Sequence, residues 1–183
     1  MTESVSDPAL SAIVRRSRRV AAVLGAAVLV LPVAVVLYVF LFPEMLAAHP
    51  GVAVLKQEPR PLDLIHRFAA SGALLLEGLP AGWGLWHLRR LFQGYAAGAV
   101  FTQAAARHFR CFAWAVILMA VTRPLGWLLL SLVIASGGKD GPHGALSFSS
   151  EDLVMILIGS ALLIIGRVMG EAARIADDNA GFV

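Results

Sequence analysis

At 183 residues, 58% apolar and only 15% charged, with a mean hydropathy of +0.77, the chain lacks the polar surface that a water-soluble globule needs. Its formal net charge of +3 comes from arginines set beside apolar runs, and no free-standing basic tract with interleaved aromatics occurs, so the pattern speaks for membrane orientation and against direct nucleic-acid binding. The single cysteine, Cys111, excludes an intrachain disulfide and is expected to act as a small buried hydrophobe.

The first apolar run covers residues 20–42, about 35 Å of helix against a hydrocarbon core of about 30 Å. Arg15, Arg16, Arg18 and Arg19 precede it in the manner of a signal peptide. The run is longer than the usual h-region of about 7–15 residues, and no small-x-small cleavage site follows, so a retained helix is predicted. Residues 1–19 are expected to form a flexible basic tail, and residues 20–183 a single transmembrane domain.

Three further runs follow, at about 66–88, 111–135 and 153–170. The second contains Glu77 and Pro80, and the third contains Arg123 and Pro124. A proline removes one backbone hydrogen bond and favours a bend, which neighbouring helices can accommodate. Pro50, Pro59 and Pro61 punctuate the first connection and predict an ordered turn rather than a separate domain. Gly98 is a candidate left-handed cap for the second helix, and Thr102 a candidate N-cap for the third. The second and third helices are therefore expected to extend beyond the bilayer. Ser149, Ser150, Glu151 and Asp152 open the fourth helix with capping hydroxyls and with acids at its positive pole.

Loop charge sets the orientation. The N-terminal flank holds four arginines, and the middle loop holds Arg89, Arg90, Arg107 and Arg110. The other loops hold Lys56, Arg60 and Arg67 in one and Lys139 in the other. This excess predicts an all-α, four-helix transmembrane bundle with both termini and the middle loop in the cytoplasm of a bacterial cytoplasmic (inner) membrane.

Charges within the apolar runs are the clearest functional candidates. Glu77 lies eleven residues from Leu88, and Arg123 twelve residues from Cys111, each counted from the inner end of its run. Adjacent antiparallel helices would bring both to one depth, which predicts a buried Glu77–Arg123 ion pair. It would serve either as a structural clip or as part of a proton or ion relay, and the absence of further acids leading to either surface favours the clip. Gly159, Gly166 and Gly170 share one face of the fourth helix and predict close helix packing, within the bundle or at a homo-oligomer seam. Beyond Gly170 the chain continues through 171–183 as a helical tail. There Glu171 and Arg174, and Arg174 and Asp178, have pairing spacings.

Of the histidines His49, His66, His87, His108 and His143, only His87 and His108 fall on one side of the membrane, and no metal or other cofactor is expected. No Walker loop, GxSxG, HExxH or dinucleotide fingerprint occurs, so no enzymatic activity is expected.

The segment LRRLFQGYAAGAVFTQAAARHFRCFAWAVIL, with Leu91, Tyr95, Gly98, Phe101 and Thr102 at its marking positions, resembles the bacterial membrane family named domain of unknown function 2975. The ending GRVMGEAARIADDNAGFV resembles that family's ending through Glu171, Arg174, Ile175, Asp178 and Asn179. Ala172 stands where a glycine is expected, and Arg167 where an acid is expected. The resemblance implies a small membrane protein similar in design to those encoded beside helix-turn-helix regulators. It therefore implies signalling or sequestration, with Tyr95, Gly98, Phe101, Thr102, Glu171, Arg174, Asp178 and Asn179 on the cytoplasmic partner surface. The alternatives are an oligomeric small transporter or channel subunit using Glu77 and Arg123 and, last, a membrane enzyme.

Overall fold

The structure is a computed structural model, and it describes residues 8–49, 52, 62–99, 102–136, 144, 146 and 148–180. Among these, four long helices follow one another: α1 (Pro8–Leu41), α2 (Leu64–Ala96), α3 (Gln103–Ala135) and α4 (Ser150–Ala180). A 3-10 turn at Pro43–Ala48 follows α1. The helices run for 34, 33, 33 and 31 residues, or about 47–51 Å each, well beyond one hydrocarbon thickness. α1, α3 and α4 are long and apolar enough to cross a membrane. α2 is as long but falls short in apolarity, since Glu77, Pro80 and Gly72, Gly78, Gly82 and Gly84 dilute its run. Pro80 and Pro124 both lie buried inside continuous helices.

The start of α1 corrects one expectation. The helix begins at Pro8, so Arg15, Arg16, Arg18 and Arg19 ride on it rather than on a flexible tail. Alanine, leucine and arginine are strong helix formers, and they extend α1 past its apolar run.

Local chemistry sets the other ends. The Asp63 carboxylate accepts from the His66 backbone N–H at 2.9 Å and caps α2. This bond, followed by one from the His66 ring, holds the carboxyl below the ordinary aspartate range. At the far end of α2, Gly98 has φ +82°, Ala99 N–H donates to the Gly94 carbonyl and Gly98 N–H to that of Tyr95. This double closure needs a left-handed residue, a role that suits glycine. Thr102 Oγ1 accepts from Ala105 N–H at 3.2 Å and opens α3. Asp152 Oδ2 reaches back to Ser149 N–H at 2.8 Å and closes one half of a capping box on α4.

α1 packs on α2, α2 on α3 and α3 on α4, while the backbones of α1 and α4 do not pack together. The four helices thus form an open row, a helical bundle whose lateral order hydropathy does not specify. α3 is close to both neighbours because small residues line each of its seams, on α2 and α3 at one and chiefly on α4 at the other. Toward α2, Ala115 lies where a Cβ on Gly84 would sit 2.8 Å from its methyl, and Gly126 faces Glu77 and Ala73. Toward α4, Gly159 lies on Ile117 and Ala113, Gly166 on Arg110 and Phe109, and Gly170 near Ala106. Small residues permit this backbone approach where lipid supplies no hydrophobic drive between helices.

The connection after α1 folds over one end of the row. Val39, Leu46, Val52, Ala70, Ala73 and Leu130 form its buried apolar cluster. Arg67 donates to the Leu62 carbonyl at 3.0 Å and to the Phe40 carbonyl at 3.1 Å, covering an exposed acceptor in the last turn of α1. Pro50, Lys56, Pro59, Arg60, Pro61, Lys139 and His143 lie outside the described residues.

Packing at Gly159 is the tightest of the α3–α4 seam. A Cβ there would stand 2.5 Å from Ile117 Cγ1 and 3.1 Å from the Ala113 carbonyl oxygen. Gly159→Val is expected to lower the thermal midpoint in detergent and the amount accumulated in membranes, with an overpacking cost of about 1–3 kcal/mol. Gly82→Ala meets open space and is expected to be neutral or stabilising by up to about 1 kcal/mol. Equal midpoints for the two variants would contradict this seam.

Candidate functional site

α4 starts level with the middle of α3, not with its end. Its first turn therefore meets Arg123, which projects from α3. The Arg123 guanidinium lies 3.0 Å from Glu151 Oε2 and 3.4 Å from Asp152 Oδ1. It also stacks 5.3 Å from the Trp127 ring centroid. Asp152 is only 2% exposed, whereas the Glu151 side chain is 70% exposed. The strong contact is thus with Asp152, because an exposed pair contributes little. Asp152 Oδ1 meets Arg123 as charge to charge without hydrogen-bond geometry, and Oδ2 is taken by the cap.

The predicted Glu77–Arg123 ion pair does not form. Both residues line one cavity of about 520 Å³ beside His49, Tyr38, Met119 and Met155, so the depth count placed them at one level. The carboxylates of α4 occupy the guanidinium instead. Glu77 packs against Gly126, where any Cβ would sit 2.7 Å from its own, and its buried Oε2 has no hydrogen-bond partner. Gly126 escaped notice in the sequence, although a glycine one turn from a buried arginine signals room for a facing side chain. Asp152 was legible as a cap but not as the counter-ion.

A second group of candidates lies at the other end of the row. Tyr95 is half-buried against Phe92, with ring centroids 5.9 Å apart, and Gly98 and Thr102 form the tight α2–α3 connection. Phe101 lies outside the described residues. His87 Nδ1 and His108 Nδ1 stand 3.0 Å apart across the α2–α3 seam, so one ring must donate and the other accept. Burial, followed by neighbouring cationic groups, lowers the His108 pKa, which suits this shared proton. Among the described residues no group of three or more metal-ligating side chains occurs. Gln103 donates to the Gly170 carbonyl at 2.7 Å and ties the emerging part of α4 to the start of α3. Beyond it, Arg174 bonds Glu171 and lies 4.0 Å from Asp178, while Asn179 is exposed.

Two predictions follow from these geometries. Arg123→Leu leaves Asp152 buried without its counter-charge and is expected to lower stability in detergent by about 3 kcal/mol. Adding Asp152→Asn is expected to restore part of that loss, while Glu77→Gln alone leaves the thermal midpoint unchanged or higher. A Glu77→Gln loss as large as that of Arg123→Leu would reinstate the direct pair. In the tail, the hydrogen bond from Arg174 holds the Glu171 carboxyl below its ordinary range. Its folded pKa is depressed, so the pair's contribution is present above the ordinary carboxylate range and lost as pH falls through the lowered value. Amide protection factors around residues 171–178, corrected for the intrinsic pH dependence of exchange, should hold through the ordinary carboxylate range and fall only modestly below it.

The region from α2 to the end of α4 carries the cavity wall, the Arg123 cluster and the tail. Residues 68–181 match the family described as Protein of unknown function (DUF2975). No curated protein and no solved structure matches the chain. The matched span is more than half of the chain, and the protein belongs to the DUF2975 family.

Proposed function

We propose that the protein is a non-catalytic regulatory or scaffolding component of a bacterial cytoplasmic membrane, with both termini cytoplasmic. α2 lies between α1 and α3, so if its neighbours cross the membrane it returns the chain between them. Four crossings put both ends on one side, and the arginines of α1 and of the α2–α3 connection mark that side as the cytoplasmic one.

The working face is the end of the row formed by the α2–α3 connection and the tail of α4. One observation carries this assignment. The last turns of α4 hold exposed Asp177 and Asp178 at the helix's negative pole, with no basic residue in the last turn. Acids at that pole raise the energy of the helix, and a cationic partner would relieve both charges and dipole. A small helix-turn-helix regulator suits this chemistry, since its DNA-binding surface is basic. An acidic helix anchored in the membrane would hold such a regulator in competition with DNA. The test is co-purification of the full chain from bacterial membranes. Wild type is expected to retain a basic DNA-binding protein that duplex DNA displaces, and Asp177→Lys with Asp178→Lys is expected to lose it. Retention of the same proteins by both forms would dispose of the proposal.

A second reading rests on the cavity lined by all four helices, with the unpaired Glu77 Oε2 in its wall. A homo-oligomer closing the open edges α1 and α4 would turn it into a path for a small cation. Proteoliposome flux is the measurement, and flux indifferent to Glu77→Gln would exclude the path.

A further inference from the structure

A second cavity, of about 550 Å³, lies between α1 and α2 at the arginine-rich end of the row. Its polar lining is Arg18, Arg89 and Gln93, and Ala21 and Ala22 form an apolar wall. Arg89 crosses from α2 onto α1 and lies over Gly25, where a Cβ would stand 2.9 Å from its Nε. That Nε is buried and has no hydrogen-bond partner. Trp86 sits beneath both Arg89 and Arg90, at 5.4 and 5.1 Å from its ring centroid.

Among the described residues the charges here are uncompensated. Residues 8–41 and 78–96 contain no aspartate or glutamate, and they hold Arg15, Arg16, Arg18, Arg19, Arg89 and Arg90. Among the described residues no carboxylate pairs with Arg18 or Arg89. A cavity lined by two arginines with no paired carboxylate among the described residues calls for an oxyanion, and the planar fork of arginine matches phosphate oxygens. The position adds the rest. The arginines stand where the apolar runs meet water, beside a tryptophan of the kind that settles at the headgroup level. Deeper along α1, Val23, Leu29 and Val30 are exposed, as a surface for acyl chains requires.

We propose that this cavity binds the phosphate of an anionic phospholipid, with Arg89 and Arg18 gripping its oxygens and the α1 surface receiving its chains. This site lies apart from both the acidic tail and the Glu77 cavity, and it stands or falls without them. Basic pockets between membrane helices bind such headgroups at about 1 kcal/mol per cationic side chain.

The full chain is reconstituted in phosphatidylcholine vesicles doped with phosphatidylglycerol, extracted in mild detergent, and examined for retained lipid by native mass spectrometry. Wild type is expected to retain phosphatidylglycerol over phosphatidylcholine. Arg18→Gln and Arg89→Gln are each expected to retain it about fivefold less. Arg18 is exposed, so its variant keeps the fold if Arg89→Gln does not. Arg89→Lys keeps the charge but loses the fork, and should fall between. Arg107→Gln, an exposed arginine on α3 outside the cavity, should retain lipid as wild type does. Equal losses in Arg107→Gln and Arg18→Gln would show diffuse attraction and overturn the site. Displacement of the lipid by millimolar inorganic phosphate would overturn the lipid in favour of a free anion.

Discussion

The contact between Arg123 and the first turn of α4 fixes the register on which much of the remaining structure depends. Asp152 can be buried only beside a cation, and Arg123 is the cation that α3 offers at that level. Once the two meet, α4 is set against α3 with its start near the middle of its neighbour. Every later contact follows from that offset: Gly159 meets Ile117, Gly166 meets Arg110, and Gly170 meets Ala106. The same offset pushes the end of α4 past Gln103, which opens α3. Ala173 is still buried, and residues 174–180 extend beyond it for about 10 Å of helix. A charge pair at one end of a seam thus determines which residues are presented at the other.

Small residues decide the lateral order as the ion pair decides the vertical one. α3 is approached closely on two sides, through its own Ala115 and Gly126 by α2 and through the glycines of α4 by that helix. α1 and α4 each pack closely on one neighbour and leave apolar side chains exposed. The open row leaves a concave face where all four helices contribute to one cavity.

The helices, their caps and the family were legible in the sequence because each rests on local chemistry. Gly98, Thr102 and Ser149 mark their turns through backbone requirements that no distant residue alters. The relative level of two residues was legible too: counting residues set Glu77 beside Arg123, and both line one cavity. The partner of Arg123 was not legible. Hydropathy says where a run is apolar but not how far one helix slides along another, and Glu151 and Asp152 satisfied a simpler role as acids at a helix start. The helical state of residues 8–19 was hidden for a related reason. A cluster of arginines weakens hydropathy without weakening helix propensity, so the charged segment looked like a tail.

The two outer edges of the row differ in charge. At the end where α1 begins, arginines on α1 and α2 face a cavity without acids. On the same side, α4 ends in carboxylates with one arginine among them. Opposite charges on one face would neutralise each other if α1 and α4 were adjacent, but the open row holds them on opposite edges. The basic edge and the acidic edge are thereby kept apart. Residues 68–181, the part that matches the family, contain the Arg123 clamp, the Glu77 wall and the acidic tail. The α1 half of the basic cavity lies outside that range. The α2–α4 unit therefore carries the tail and the contacts that position it, and α1 completes the basic cavity from outside the matched range.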